Sequence, residues 1–440
     1  AVLPRSSPGF SNRLADSLHQ NAQEKVSHAL ARRSLSANRI PRGSGFKVSA
    51  FQLGTGHRIR PDRSDRLAEM SEVFRQQLLD DGAIGLNASL TPLTGGVSSD
   101  IYKVDDGDRV FVVKRALEKL KVADDWHADL SRNGFEVAYL NVVSQFLQEA
   151  VPKVLFHNPE NGYFAMEHLG DGFENWKTTM LGGDCRIEHA RRAGEVLGRI
   201  HRETWNDSEL RAGFETTDNF HDLRLEPYLL KTAERHPDLS QQLLDEADRI
   251  RNTRRCLVHG DFSPKNMLFN GDRLVVLDCE VAWFGDPAFD VAFLLNHLMI
   301  KALHVDPVCF ELAREAWQAY AGSLTNYHPE LAEGPPELTL IDASSEAIEA
   351  SGSLEASQQF CAKGQREVPR QARDDSCCRV VEGALTKLLP ALMLARVDGK
   401  SPVEYLNDSE RVRLREFARN ALINPVCCLE ELIERAQGTL

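Results

Sequence analysis

The sequence predicts an α+β fold in which a small, mostly antiparallel sheet comes first and a larger, mainly helical region follows. Three observations carry this. The stretch Asp105–Asp108 (Asp-Asp-Gly-Asp) separates two alternating apolar runs and reads as a hairpin turn. Residues 186–205 (RIEHARRAGEVLGRIHRETW) place apolar side chains at helical spacing. Residues 257–296 (LVHGDFSPKNMLFNGDRLVVLDCEVAWFGDPAFDVAFLLN) read as loop, hairpin and then helix.

The remaining elements follow in order. Residues 1–69 read as a disordered basic extension, rich in Arg, Ser, Gly and Pro and without sustained apolar periodicity. They hold 12 Lys+Arg against 5 Asp+Glu, whereas the whole chain has a net charge of −13, so the extension and the rest are physically different material. Its segment RLADSLHQNAQEKVSHALARRSL has the composition of an organelle transit peptide; a non-functional extension is the plainer reading, because Met70 begins a credible domain by itself. A short helix is expected over 70–81, then strand, glycine turn, strand, Asp-Gly turn and strand over 89–117. A helix over 134–148 carries Phe135, Ala138, Tyr139 and Val142 on one face, and two strands follow at 151–159 and 163–169. Past Gly170 the pattern turns helical, with one or two helices over 225–250 and further helices over 383–398 and 409–436, one of them kinked or started by Pro390. Residues 328–376 are poor in apolar residues and read as a flexible insertion, with a lid over the substrate cleft as the sharper alternative.

Composition narrows the function. A net charge of −13 argues against a nucleic-acid binder, which needs a basic face. No apolar run is long enough to span a bilayer, so no membrane partner is expected. The nine cysteines include no C-x-x-C pair and read as reduced thiols, which suits a reducing compartment and a cytoplasmic location, with organelle targeting by residues 1–69 as the alternative.

The chemistry is concentrated in residues 257–296. An H-G-D-x-x-x-x-N run (His259, Gly260, Asp261, Asn266) is followed twelve residues on by Asp278. A carboxylate, a carboxamide and a second carboxylate at this spacing are what phosphoryl transfer needs. In such a set one acid orients a hydroxyl and accepts its proton, and Asn266 and Asp278 can offer hard oxygens to Mg²⁺ held against nucleotide phosphates. Lys265 adds positive charge near the transferred group. An isolated Asp or Asn in a loop is usually a turn former or cap, and His259 alone reads as a structural hydrogen-bonding residue. The spacing of the whole set, with G-D-P-x-x-D (residues 285–290) after it, is what points to function.

On these residues the chain resembles the aminoglycoside phosphotransferase-like (choline kinase-type) family of small-molecule kinases, over roughly residues 90–303 with a looser helical match in 380–435. The resemblance implies a two-lobed protein-kinase-like fold, with an N-lobe over 70–169 and a helical C-lobe over 170–440. It implies ATP and Mg²⁺, a small-molecule hydroxyl acceptor, Asp261 as base, Lys265 and His259 beside it with His259 as the structural His of the loop, and Asn266 and Asp278 as metal ligands. Gly95, Gly96 and Ser98 match the loop that covers the nucleotide, although the loop departs from the protein kinase G-x-G-x-x-G form. Lys114, at the end of the third strand, matches the lysine on the α- and β-phosphates, with Glu136 as its ion-pair partner. Glu167 and Leu169 match the interlobe hinge, whose backbone groups contact adenine. Asp286 and Asp290 read as helix-capping and loop-bracing, and Glu280 as an outer-shell or second metal group. The rivals are a catalytically silent nucleotide-binding scaffold and a protein kinase; against the latter, HGD replaces H-R-D and no D-F-G to A-P-E segment is visible.

Overall fold

The computed structural model describes residues 63–93, 98–117, 131–325 and 375–440, with side chains described from 71 and, in the last stretch, from 377. The expected N-terminal extension up to residue 62, Gly95 and Gly96, and all but the last two residues of the expected insertion over 328–376 lie outside the described residues; those last two begin a helix. The described residues fall into two units, divided between Leu86 and Asn87. In the first, helix α1 (Arg63–Asp80) begins seven residues before Met70, so the helical pattern crosses the boundary drawn from composition. Arg75 ties it to the following turn by donating to the Leu86 carbonyl at 2.6 Å.

The second unit opens with a five-stranded antiparallel sheet in the order β1-β2-β3-β5-β4. Its strands are β1 (Ser89–Pro92), β2 (Ser99–Asp105), β3 (Val110–Ala116), β4 (Val154–Asn158) and β5 (Tyr163–Glu167). The Asp-Gly turn is the β2–β3 connection: Asp105 pairs with Val110, and Gly107 takes a φ of 75°. Helix α2 (Arg132–Ser144) lies between β3 and β4 in sequence and buries Val137, Tyr139, Leu140 and Val143. It starts two residues earlier and ends earlier than its apolar pattern suggested, and Phe135 is only partly buried.

The larger lobe is helical, with short strands that hold the loops of interest. Its helices include α3 (Ile187–Glu203), α4 (Ser240–Asn252), α5 (Pro287–His304), α6 (Cys309–Thr325), α7 (Asp375–Asp398), α8 (Asp408–Ile423) and α9 (Leu429–Thr439). Between α3 and α4 a π-helical stretch, His221–Leu230, carries Pro227 and runs into a short α-helix, Lys231–Arg235. Helices α3 and α6 cross closely because Gly194 and Gly198 present no side chain; a Cβ on Gly194 would come within 2.2 Å of the Ala316 carbonyl oxygen. The expected helix over 409–436 is two helices, and Pro390 lies inside α7 rather than at its start. Helix α5 is buried almost all round, from Pro287 to Ala302, which makes it the axis of the C-lobe core. Among the described residues no helix is long and apolar enough to cross a membrane.

Strand β6 (Glu174–Asn175) pairs with β8 (Met267–Asn270), which forms a hairpin with β9 (Arg273–Val276). Strand β7 (Cys256–Val258) pairs antiparallel with β10 (Trp283–Gly285). The loop after β7 and the loop after β9 leave different sheets, and hydrogen bonds between His259 and Leu277 and between Leu277 and Asn266 hold the two loops together.

Among the described residues seven cysteines are free thiols, of which Cys256, Cys279 and Cys309 are buried. Cys427 departs from the reduced reading: it is disulfide-bonded.

Candidate active site

The loop after β7 is held from beneath by one carboxylate. Asp290, fully buried in the first turn of α5, accepts from the backbone N–H of His259 at 2.7 Å and of Gly260 at 2.9 Å. Asp286 caps the same helix by accepting from the Ala288 N–H at 3.0 Å. Both acids do what G-D-P-x-x-D suggested, capping and bracing. Gly260 takes a φ of 77°, and a Cβ there would sit 2.8 Å from the Val281 carbonyl oxygen, so only glycine fits this turn without strain.

His259 joins the two loops. Its Nδ1 accepts the Asp261 N–H at 3.1 Å, so its Nε2 must carry the proton it donates to the Leu277 carbonyl at 3.1 Å. Burial pushes its pKa down, which keeps this neutral tautomer. With both nitrogens committed, His259 positions the loop and has no free atom for proton transfer. This corrects its place beside Asp261 in the catalytic group and agrees with the structural reading.

Asp261 is buried and faces two cations. Its Oδ2 lies 3.0 Å from Arg224 Nη2 and 3.0 Å from Lys265 Nζ. Burial alone would raise this carboxyl, but Lys265 and Arg224 outweigh it and hold the pKa below the usual range. Arg224 also donates to the Leu223 and Gly260 carbonyls, so it ties the π-helical stretch to the loop. Sequence reasoning missed Arg224. The only signal was a lone arginine among buried Leu223, Leu225 and Leu229, which names no partner.

Asn266 donates its amide Nδ2 to the Asp261 carbonyl at 3.0 Å, which leaves Oδ1 without a partner among the described residues. Its own carbonyl accepts the Leu277 N–H at 2.9 Å, so the first loop is clipped to the residue before Asp278. Asp278 does not end a strand, as expected; β9 stops at Val276, and Asp278 sits in a loop at a φ of 64°. A non-glycine residue in this left-handed region is uncommon and marks a position held by its surroundings.

Lys114, on β3, reaches across to Asp278 Oδ1 at 2.6 Å while its other side meets Glu136 at 2.7 Å. The predicted Lys114–Glu136 pair is therefore formed, although Glu136 lies in the second turn of α2 rather than opening it, so the pair and not the helix dipole accounts for its place. Burial raises Asp278, but Lys114 and Lys265 outweigh it and leave its carboxyl well below the usual range. Glu136 moves the other way: burial pushes it up to about 7, and Asp278 and Glu280 add repulsion against the pull of Lys114. The carboxylates of Glu136, Asp278 and Glu280 all lie within 4.8 Å of one another. Glu280 is compensated by the fully buried Arg132, whose Nε donates to it at 3.0 Å. Arg132 also donates to the carbonyls of Ser98 and Leu117 at 2.6 and 2.5 Å. Ser98 is thus placed just before β2, held through its carbonyl. At the end of β5, the Glu167 N–H is taken by the Lys153 carbonyl at 2.9 Å, whereas the Leu169 N–H has no partner among the described residues.

The structure thus gathers Asp261, Lys265, Asn266, Asp278, Lys114 and Glu136 around two loops braced by His259 and Asp290. The donor set of Asn266 Oδ1 and a mostly buried Asp278 carboxylate is hard, oxygen-only and close to further acid, which fits Mg²⁺.

A family model described as the phosphotransferase enzyme family matches residues 89–333, more than half the chain. The chain belongs to this family. Its fold is the two-lobed α+β arrangement described above, and the match covers both lobes. Among curated relatives, a methylthioribose kinase of Bacillus cereus (strain G9842) is 23% identical over 256 residues, covering 51% of this chain and 65% of that protein. One from Yersinia pseudotuberculosis is 23% identical over 229 residues, covering 46% of this chain and 56% of its own length. The chain thus spans less than two thirds of these relatives. Among solved structures, a choline/ethanolamine kinase family protein of Mesorhizobium loti aligns over 84% of this chain and 99% of its own, with a TM-score of 0.43 and 13% identity.

Proposed function

We propose that the protein transfers the γ-phosphoryl group of ATP to a hydroxyl of a small-molecule acceptor. The observation that carries the reading is the contact of Lys114 with both Glu136 and Asp278, beside a loop that presents an ionised Asp261. Asn266 and Asp278 would hold Mg²⁺, which when bound supplies charge neutralisation at the phosphates. Lys114 and the backbone at Ser98 and Ser99 hold the triphosphate, and the Leu169 N–H is available to adenine. Asp261 accepts a hydrogen bond from the acceptor hydroxyl and orients it in line. Its low pKa suits an orienting role, with the proton passing late in the transfer. Lys265 and Arg224 fix the Asp261 carboxylate, and Lys265, exposed at the edge, offers positive charge to the moving group. Positioning and electrostatics carry most of the rate in such reactions.

Methylthioribose kinases among the relatives support a small hydroxyl compound as acceptor. The test is an acceptor screen with ATP and Mg²⁺ over sugars, amino alcohols, hydroxy acids and aminoglycosides, read by mass spectrometry. The expected result is a metabolite gaining one phosphoryl group as ADP appears. Labelling of proteins with no labelled metabolite would overturn the reading in favour of a protein kinase, and no nucleotide turnover at all would favour a silent scaffold.

A further inference from the structure

On the far side of Arg224 from Asp261 the C-lobe holds a second group of cations. Arg224 lies over the Phe293 ring at 5.9 Å, and Phe293 packs edge-on against His297 at 5.2 Å. One turn along α5, Lys301 points its ammonium over the Tyr405 ring at 5.5 Å, and Lys177 approaches the same ring at 5.8 Å. Arg396 of α7 stacks over Tyr228, which itself meets Phe293 at 5.6 Å. A continuous run of contacts therefore links Asp261 to Lys301 and Arg396 through aromatic walls.

Two of these cations, Lys301 and Arg396, are buried with no carboxylate in contact among the described residues. Lys301 is 1% exposed and Arg396 8% exposed. Neither meets a carboxylate within 4.0 Å among the described residues. Lys301 has one weak bond, to the His297 carbonyl at 3.3 Å. Arg396 is anchored through one nitrogen to Ser401 and to the Tyr228 hydroxyl at 3.3 Å, and its Nε is buried with no partner, as is the Tyr405 hydroxyl. Lys177 alone is neutralised, by Glu404. A buried ammonium and guanidinium without an anion are strongly unfavourable, and a fold that needed only packing there is better served by Met or Leu. Burial pushes Lys301 down to about 7; Lys177 and Arg396 add to the shift, while Cys309 and Glu404 pull the other way without restoring the usual value. Burial and then Arg396, Lys301, Lys265 and Lys177 hold His297 well below its usual value, so the charge on Lys265, the partner of Asp261, is felt in the same place.

We propose that this cluster seats an anionic group on the phosphoryl acceptor, so that the substrate is a small hydroxyl compound that also bears a carboxylate or a phosphate. Lys301 and Arg396 bind the anion, Tyr405 and His297 complete its hydrogen bonds, and the hydroxyl lies toward Asp261. The inference rests on the phosphotransfer reading for the role of the bound molecule, not for the presence of the site. It runs against the net charge of −13, which taken alone would favour a cationic acceptor; a pocket's own charges outweigh the distant sum.

The experiment is calorimetric titration of the full chain with matched pairs: ribose 5-phosphate against ribose, and glycerate against glycerol. The anionic member should bind at least about tenfold more tightly in one or both pairs, and whichever pair responds identifies phosphate or carboxylate. Binding near about pH 8 should take up protons, seen as a dependence on buffer ionisation enthalpy, because the anion restores the charge on Lys301. Lys301→Met should abolish both the preference and the proton uptake. Thermal denaturation of this variant checks its fold, and its midpoint should be no lower than that of the original. Equal affinity within both pairs, no anion binding at millimolar concentration, or a preference that survives Lys301→Met would each overturn the inference. MgATP titration of the unmodified chain separates the two claims: absence of nucleotide binding with the anion preference intact removes the phosphotransfer reading and leaves the anion site standing.

Discussion

Asp290→Ala should be among the most damaging single changes in the C-lobe. The Asp290 carboxylate is fully buried and accepts two backbone N–H groups, from His259 at 2.7 Å and Gly260 at 2.9 Å, with His201 Nε2 at 3.4 Å as a weaker third contact. Hydrogen bonds to a charged group contribute about 1.5–3 kcal/mol each, and their loss here strands two buried donors, so the expected destabilisation is about 3–6 kcal/mol. That is a large part of the roughly 5–15 kcal/mol that holds a typical domain. Asp290→Asn keeps one acceptor oxygen but turns an amide donor toward the other N–H, so it should lose about 2–3 kcal/mol. Urea denaturation of the two variants and the original, followed by fluorescence, measures both values. Because the loop carries Asp261, transfer activity should fall even in conditions where the variants remain folded. A cost under about 1 kcal/mol for the alanine variant would refute the claim that this carboxylate holds the loop.

Other expectations follow from the same geometry. Gly260→Ala must hold an L side chain at a φ of 77° and 2.8 Å from the Val281 carbonyl oxygen, which should cost about 2 kcal/mol or more and lower activity; denaturation and transfer assays on one preparation check both. Lys301 is pushed from 10.5 to about 7, so between those values the unfolded chain holds a proton that the folded chain lacks, and this group's contribution to stability rises with pH across that window. At and below pH 7 its full penalty remains, at most about 5 kcal/mol. Lys301→Met should therefore raise the denaturation midpoint at pH 7, with the gap closing toward about pH 10; a gap independent of pH would contradict the buried charge.

Much of this site is written locally. The hairpin at Asp105–Asp108 and the β8–β9 hairpin depend on neighbours in sequence, and both are found where the pattern put them. Asp286 and Asp290 were equally legible, since a helix N-terminus next to a loop gives acids few other tasks. What escaped depends on distant partners. Arg224 reaches Asp261 from a π-helical stretch, a geometry that no apolar periodicity signals. Arg132 meets Glu280 across 148 residues, and an arginine at a helix start reads as ordinary surface until the fold buries it. Asp278 was placed on a strand because Leu274, Val275 and Val276 are apolar; its left-handed backbone has no sequence mark when the residue is not glycine. Lys301 and Arg396 sit in helices of mixed composition, and only the packing of α5 against α7 shows that among the described residues no carboxylate touches either.

The central claim is tested most directly by Asp261→Ala in parallel measurements of MgATP affinity and of single-turnover transfer to the best acceptor from the screen. The account predicts nucleotide affinity close to that of the original chain and transfer slowed by roughly a hundredfold to ten-thousandfold, the range that a positioned proton acceptor supplies. Transfer at a near-normal rate would contradict the assignment of Asp261, whatever the rest of the site is found to do.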